Sequence, residues 1–182
     1  MNLIESYIDN CTDTFNKQGN ANDLKHLIMG VSSESGEIVD MFKKIIGYGA
    51  KEDEKWVNLL TLELGDLLWY TSVLSLYIDI PCAFIVDLGS NPNKQKFDHF
   101  EMSAKLTYYS NNLFQKGTPN NEFKGSIYSI VACVNEICEH YQIDVEDVLL
   151  KNLEKLQKRH GNSFNKKANY EDGRDRFSEE NQ

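Results

Sequence analysis

The sequence predicts an all-α protein, a helical bundle in which two central helices carry acidic side chains on their buried faces. Apolar residues recur every three or four positions through most of the 182 residues, which is the spacing of one face of a helix. Clusters of Gly, Pro and Asn separate these segments. Because 41% of the residues are apolar, the chain can bury one core, and we expect a single domain over residues 1–182.

Two helices are expected in the first part of the chain. Apolar periodicity predicts a helix over residues 3–18, which Gly19 ends. The second helix begins near Asn22 or Asp23, because either side chain can cap an N-terminus. It continues past Lys44 to a pair of glycines that favour its end.

A third helix follows charged residues 51–55 and ends before Pro81. Its second half is apolar enough to raise the question of a membrane span. Asp66 and Asp79 bound the apolar part, which is too short to cross a bilayer. We therefore expect a buried helix.

The remainder of the chain is predicted to be a linker, three more helices and a tail. Turn-forming residues predict a linker over residues 83–98. The predicted helices cover residues 100–114, 123–141 and 144–159, with a break at 117–119 and a stop at Gly161. Within the single domain we assign residues 22–82 to a metal-binding hairpin, 83–98 to the linker, 99–164 to a ligand-free half and 165–182 to a polar tail.

Charge and cysteine usage exclude several classes. A net charge of −9 argues against a general nucleic-acid binder or a protein of anionic membranes. The four cysteines show no CxxC pair, so reduced thiols are expected. The N-terminal stretch lacks a basic leader and a long apolar block, and we expect a cytoplasmic protein.

Two carboxylates interrupt the apolar faces of the second and third helices. Glu34 lies in the stripe that contains Val31 and Ile38, and Glu63 lies in the stripe of Leu60 and Leu67. A single ExxE is usually a solvated helix face. Two acidic pairs inside apolar stripes instead need a reason, because burying an ionised carboxylate costs several kcal/mol unless it is paired or bound to a metal.

Glu37 and Asp66 follow three residues after the first two acids, one turn further along each helix. If the helices pack together, carboxylates about 5 Å apart repel by about 3 kcal/mol per pair at an effective dielectric constant of about 20. Protons, basic partners or divalent cations must offset this repulsion. A set of oxygen ligands favours Mg²⁺, with Mn²⁺ as the alternative. Gly36 and Gly65, beside the acids, are explained by a close approach of backbone or ligand.

The segments ESGEIVDMFKKIIGYG and ELGDLLWY resemble the ExxE and ExxD motifs of the MazG-like all-α nucleoside triphosphate pyrophosphohydrolases, whose fold is shared with dimeric dUTPases. The later NLEKLQKRHGNSF is similar to that family's helix of Asn, Lys and Arg, and KKANYEDGRDRF to the segment that follows it in phage and bacterial members. The resemblance extends over residues 24–77 and 143–176.

The resemblance implies a Mg²⁺-dependent enzyme that cleaves a nucleoside triphosphate between the α and β phosphates, giving a monophosphate and pyrophosphate. It implies that the four acids hold the metal, or that three of them hold it while the fourth orients the attacking water. The acid that acts as general base stays open. The ion would neutralise phosphate charge and acidify the attacking water.

The last helix supplies candidate substrate ligands. Asn152, Lys155 and Arg159 share one helix face. The resemblance makes Lys155 and Arg159 phosphate ligands and Asn152 a contact to sugar or base, whereas the alternative is a solvated basic stripe. His26, two turns before Glu34, and Lys44 are further candidates for the nucleotide pocket, with surface roles as the alternative.

The second half contains a faint copy of the first. Phe114, Lys116 and Gly117 align with the end of the second helix, and HYQID aligns with LYIDI. The four acids then correspond to Leu106, Tyr109, Ile127 and Ile130. The hypothesis is that the second half is a duplicated hairpin that has lost its metal ligands and completes the bundle as a second subunit would.

Three functions compete. The first is the pyrophosphohydrolase, acting on a nucleoside triphosphate as an oligomer, most simply a homodimer, or a dUTPase-like or dCTPase-like enzyme of the same fold. The second is a di-iron carboxylate bundle, which is disfavoured because no histidine stands three residues after a Glu. The third is an inactive homologue that serves as a binding or assembly module.

Overall fold

The computed structural model describes residues 3–80 and 96–160, and the described part contains α-helices and no strand. In chain order the helices are α1 (Leu3–Thr14), α2 (Ala21–Tyr48), α3 (Glu54–Tyr77), α4 (His99–Lys116), α5 (Asn121–Tyr141) and α6 (Val145–His160). The all-α prediction is confirmed. Most of the predicted linker and the whole of the predicted tail lie outside the described residues.

Four of the helices form a closed bundle. α2 packs on α3, α3 on α5, α5 on α4, and α4 on α2. Rings near the end of α2, the start of α3, the start of α4 and the end of α5 meet at one end of this bundle. Phe42 lies 6.3 Å from Trp56 and 5.1 Å from His99 between ring centroids, and Trp56 lies 5.0 Å from Tyr141. Neighbouring helices therefore run antiparallel.

α1 and α6 lie outside the four-helix ring, and both pack on α3 and on each other. This arrangement covers α3 on several sides, which explains the apolar residues around most of its circumference. Among the described helices, α3 has the length and composition to cross a membrane, and 61% of its most apolar stretch is buried inside the bundle. Such burial is typical of a core helix.

The cap of α2 differs from the prediction. Asn20 is the N-cap residue, and its side chain accepts a hydrogen bond from the backbone N–H of Asn22. Asp23 is buried and accepts from the backbone N–H groups of Gln18 and Gly19 at 2.8 and 2.7 Å. Its burial opposes ionisation, but these backbone donors outweigh that effect and hold the pKa of Asp23 below its usual range. Asp23 therefore fixes the preceding loop.

The other helix limits agree closely with the sequence patterns. α1 ends at Thr14, earlier than predicted, and α2 ends before Gly49, which has the left-handed conformation expected of a C-cap glycine. Asp53 and Asp98 cap α3 and α4 by accepting from the N–H three residues later. Asp144 accepts from the N–H of Glu146 at the start of α6.

Candidate metal centre

Three carboxylates converge between α2 and α3. One oxygen each from Glu34, Glu63 and Asp66 lies within 4.8 Å of the others. Glu34 is 8% exposed, while Glu63 and Asp66 are half-buried. The antiparallel packing brings the middle of α2 beside the middle of α3, so two acids one turn apart on α3 both face Glu34.

Glu37 does not belong to this set, which corrects the prediction of four converging acids. It is half-buried on the next turn of α2. Its carboxylate is not among the three whose oxygens lie within 4.8 Å of one another. Glu34 is therefore the acid of α2 that meets the two acids of α3.

Asp66 is held by two side chains of α6. The amide nitrogen of Asn152 donates to Oδ1 of Asp66 at 2.9 Å, and the Lys155 ammonium group donates to Oδ2 and forms an ion pair with it. Both partners are well shielded from solvent, since Asn152 is 1% exposed and the side chain of Lys155 is 13% exposed. The two carboxylate oxygens therefore have separate, fixed donors.

A glycine allows α6 to approach this closely. A Cβ atom placed on Gly65 would lie 2.9 Å from the Cβ of Asn152, closer than side chains tolerate. The hydroxyl group of Tyr7, on α1, lies 3.4 Å from the carbonyl oxygen of Gly65 and donates to Oδ1 of Asn152 at 3.3 Å. The close approach expected at Gly65 is thus made by α6. Within the described residues a Cβ at Gly36 would meet no atom within 4 Å, so no approach of backbone explains this glycine, and the approach of a ligand stays a prediction.

The three acids repel one another. Carboxylates at this separation repel by about 3 kcal/mol per pair at an effective dielectric constant of about 20, and three pairs approach the whole stability of an ordinary domain. Lys155 offsets one of the three negative charges. The convergence of three carboxylate oxygens suits a divalent cation.

The acids lie on the part of α3 that α2 and α6 flank, and the space between α2 and α6 over α3 is called the groove here. α2 and α6 both pack on α3, and neither packs extensively on the other within the described residues. Glu63 and Asp66 are on α3 between them, with Glu34 on the α2 side and Lys155 on the α6 side. A ligand entering along this groove would contact acidic oxygens and a basic side chain together.

The structure changes the interpretation of Asn152. The resemblance implied a contact to sugar or base, but Asn152 is almost completely buried and both ends of its amide are hydrogen-bonded inside the protein. Its amide therefore contacts Asp66, and the contact to sugar or base stays a prediction. Arg159 is half-buried one turn beyond Lys155, on the same face of α6.

The two weaker candidates lie in different places. His26 is exposed, and its ring centroid is 6.0 Å from that of Tyr70 and 6.1 Å from that of Phe15. Tyr70 follows Asp66 by one helical turn, so His26 lies beside the groove. Lys44 is 55% exposed and forms an ion pair with Asp40 at 2.8 Å, which explains it as a surface residue.

Two tyrosines near the acids were not identified from the sequence. The pattern of α1 predicts Tyr7 as a core residue, and only its hydroxyl group signals that a buried polar partner is needed. The ring of Tyr70 fills the space where Gly30 lacks a side chain, with its atoms 2.1–2.6 Å from a hypothetical Cβ. Gly30, in the middle of the second predicted helix, was the feature of the sequence that could have indicated this contact.

The chain matches no protein-family model, no curated protein and no solved structure.

Proposed function

We propose that this protein is a Mg²⁺-dependent nucleoside triphosphate pyrophosphohydrolase that cleaves between the α and β phosphates. The convergence of three carboxylates from two helices in an otherwise apolar interface carries this proposal. Structural roles do not explain such a cluster, because apolar residues at the same positions would pack without repulsion.

The donor set suits a hard divalent cation. All three ligand atoms are carboxylate oxygens, which Mg²⁺ and Mn²⁺ prefer. Oxygens bound to one Mg²⁺ lie at most about 4.2 Å apart, twice the usual metal–oxygen distance, so small side-chain rotations bring the three acids into range. Three protein ligands leave coordination positions for water and for phosphate oxygens.

The groove also supplies groups for the substrate. A bound Mg²⁺ would neutralise phosphate charge and lower the pKa of a water molecule. Lys155 has three N–H donors, so it can bind a phosphate oxygen while it remains paired with Asp66. Arg159 is one turn further along the same face of α6 and is a second candidate phosphate ligand. On the α2 side, His26 and Tyr70 offer rings beside which a nucleobase can lie.

The decisive experiment is an assay of the purified full chain against a panel of ribo- and deoxyribonucleoside triphosphates. We expect pyrophosphate and a monophosphate as products with Mg²⁺, reduced or altered turnover with Mn²⁺, and none with EDTA. Release of orthophosphate would contradict the proposed cleavage site, and no turnover of any substrate would leave a binding module as the alternative.

A matched pair of variants connects the activity to the acids. Glu63→Gln removes one negative charge from the cluster with almost no change of shape, and we expect a loss of activity of about a hundredfold or more. Glu136→Gln is the control, because Glu136 is exposed on α5 and pairs only weakly with Lys105 at 3.3 Å. Equal activity of the two variants would remove Glu63 from the site.

A further inference from the structure

We propose that Tyr7 and Asn152 are positioning residues for Asp66, so that helix α1 forms part of the metal site although none of its residues touches the ion. This inference rests on the proposed function, because it requires Asp66 to be a metal ligand. The three residues form a chain of hydrogen bonds that runs from α1 through α6 to α3.

The chain of hydrogen bonds permits one orientation of the Asn152 amide. Its nitrogen must face the ionised Asp66, since an amide oxygen at 2.9 Å from a carboxylate oxygen would be repelled. The amide oxygen then faces the Tyr7 hydroxyl group, which has the proton to donate. Because Tyr7 is 0% exposed and Asn152 is 1% exposed, water does not replace either partner.

The close packing of α6 on α3 limits movement of the Asn152 and Asp66 side chains. Asn152 lies directly over Gly65, where even one added carbon atom would be 2.9 Å from its Cβ. Lys155 binds the second oxygen of Asp66. The carboxylate is therefore held through both oxygens, and the direction of its remaining lone pairs towards Glu34 and Glu63 is set before an ion arrives.

A neighbouring hydrogen bond offers a control on the same helix interface. The indole nitrogen of Trp69, on α3, donates to the hydroxyl oxygen of Thr14, on α1, at 3.0 Å. This bond also joins α1 to α3, but it has no connection to Asp66. Tyr7→Phe and Thr14→Val each delete one hydroxyl group with little change of shape. Both weaken the docking of α1, whereas only Tyr7→Phe disturbs Asp66.

The test measures Mn²⁺ binding to the full chain by electron paramagnetic resonance, with thermal unfolding in parallel. We expect Tyr7→Phe to bind Mn²⁺ about tenfold more weakly than the unmodified protein, as for other residues that orient metal ligands. Thr14→Val should keep the original affinity even if its melting temperature falls. Asn152→Asp places an acceptor against Asp66, and we expect a larger loss of affinity than for Tyr7→Phe.

Kinetics give a second readout. In the Mg²⁺-dependent assay, Tyr7→Phe should raise the Mg²⁺ concentration needed for half-maximal rate and leave the KM for nucleotide nearly unchanged at saturating Mg²⁺. A rise in the KM for nucleotide alone would instead assign Tyr7 to substrate binding and overturn the inference. If Asn152→Asp does not fold, Tyr7→Phe carries the test alone.

The outcomes separate this inference from the proposed function. Equal Mn²⁺ affinity in Tyr7→Phe and the unmodified protein overturns the inference, and so does an equal loss in Thr14→Val. Mn²⁺ binding that depends on Tyr7, without hydrolysis of any nucleotide, supports the inference and overturns the proposed function. Failure of the unmodified protein to bind Mn²⁺ overturns both.

Discussion

The two hairpins of the bundle bury different side chains at their centres. The α2–α3 hairpin contains Glu34, Glu63 and Asp66, whose oxygens approach within 4.8 Å. At the positions that the internal alignment matches to acids, the α4–α5 hairpin contains the completely buried Leu106, Ile127 and Ile130 and the half-buried Tyr109. The second hairpin therefore has an ordinary apolar interior.

The surroundings explain why only one hairpin tolerates buried acids. α6 packs on α3 and brings Asn152 and Lys155 against Asp66. The ion pairs of α4 and α5, such as Lys105 with Glu136, lie at the surface. Buried charge is stable only next to a fixed donor or a cation, and α6 supplies the fixed donors on the acidic side alone.

The two hairpins share the way in which their helices end. Gly49 and Gly117 follow α2 and α4 in the left-handed conformation. After α3 and α5, the N–H groups of Ile80 and Ile143 bond to carbonyl oxygens five residues earlier. Such ends are common in unrelated helices, so the duplication of the hairpin stays a prediction.

The largest expected effect comes from placing an acid in the second hairpin. Ile127→Glu would bury a carboxylate at a completely buried position of α5, and we expect a loss of about 3–5 kcal/mol in the free energy of unfolding. Tyr128→Glu is the control, because Tyr128 is 43% exposed and should change stability by about 0.5 kcal/mol or less. Urea denaturation measures both. Similar stability of the two variants would contradict the contrast between the hairpins.

The next comparison lies within the first hairpin. Glu34→Gln should lower turnover by about a hundredfold, because Glu34 is one of the three converging acids. Glu37→Gln should lower it by less than about tenfold, as expected for a group outside the ligand set. Initial rates at saturating Mg²⁺ compare the two variants. Equal losses would restore the four-acid site that the sequence predicted.

Helix glycines provide a third comparison. Gly65→Ala forces a carbon atom against Asn152, and we expect a loss of about 1–3 kcal/mol in the free energy of unfolding together with weaker Mn²⁺ binding. Gly125→Ala in α5 meets no atom within 4 Å and should stabilise the protein by about 0.5–1 kcal/mol. Thermal unfolding measures both variants. If both raised the melting temperature, or both lowered it, the tight contact between α3 and α6 would be ruled out.

The smallest expected effect concerns His140, at the end of the bundle where the aromatic rings meet. The His140 ring stacks on Phe97 with centroids 4.1 Å apart. Burial lowers the pKa of His140, the neighbouring His99 lowers it further, and Glu52 opposes both. The folded state therefore disfavours the protonated ring, and the unfolded chain binds a proton first as the pH falls.

The contribution of His140 to stability is thus complete above about pH 6.5 and declines as the pH falls through the lower pKa of the folded state. We expect a small decrease in melting temperature below about pH 6.5 that is reduced in His140→Gln. Melts at several pH values measure it. A variant with the same pH dependence as the original protein would assign the effect to other groups.

Much of the fold could be predicted from local patterns. Apolar periodicity located every described helix, and turn residues located most of their ends. The start of α2 was wrong because Asn20, Asn22 and Asp23 all have side chains that can cap, and only the buried loop contacts of Asp23 distinguish them. Residues 1–2, 81–95 and 161–182, which include most of the predicted linker and the whole of the predicted tail, are not described.

The candidate site was predicted less completely. Glu34, Glu63 and Asp66 were recognised because an acid inside an apolar stripe conflicts with burial. The exclusion of Glu37 depends on how α2 is rotated against α3, which the helix period does not specify. The activity, the metal, the dimer and the cytoplasmic location stay predictions.

The sequence alone determined the helices and placed acids on buried faces, because both depend on residues three or four positions apart. Only the tertiary structure decided which oxygens meet and what holds them. Tyr7 and Asn152 are 145 positions apart, and Asn152 and Asp66 are 86 apart. Contacts over such separations depend on the angle, rotation and offset with which whole helices pack, which no local spacing encodes.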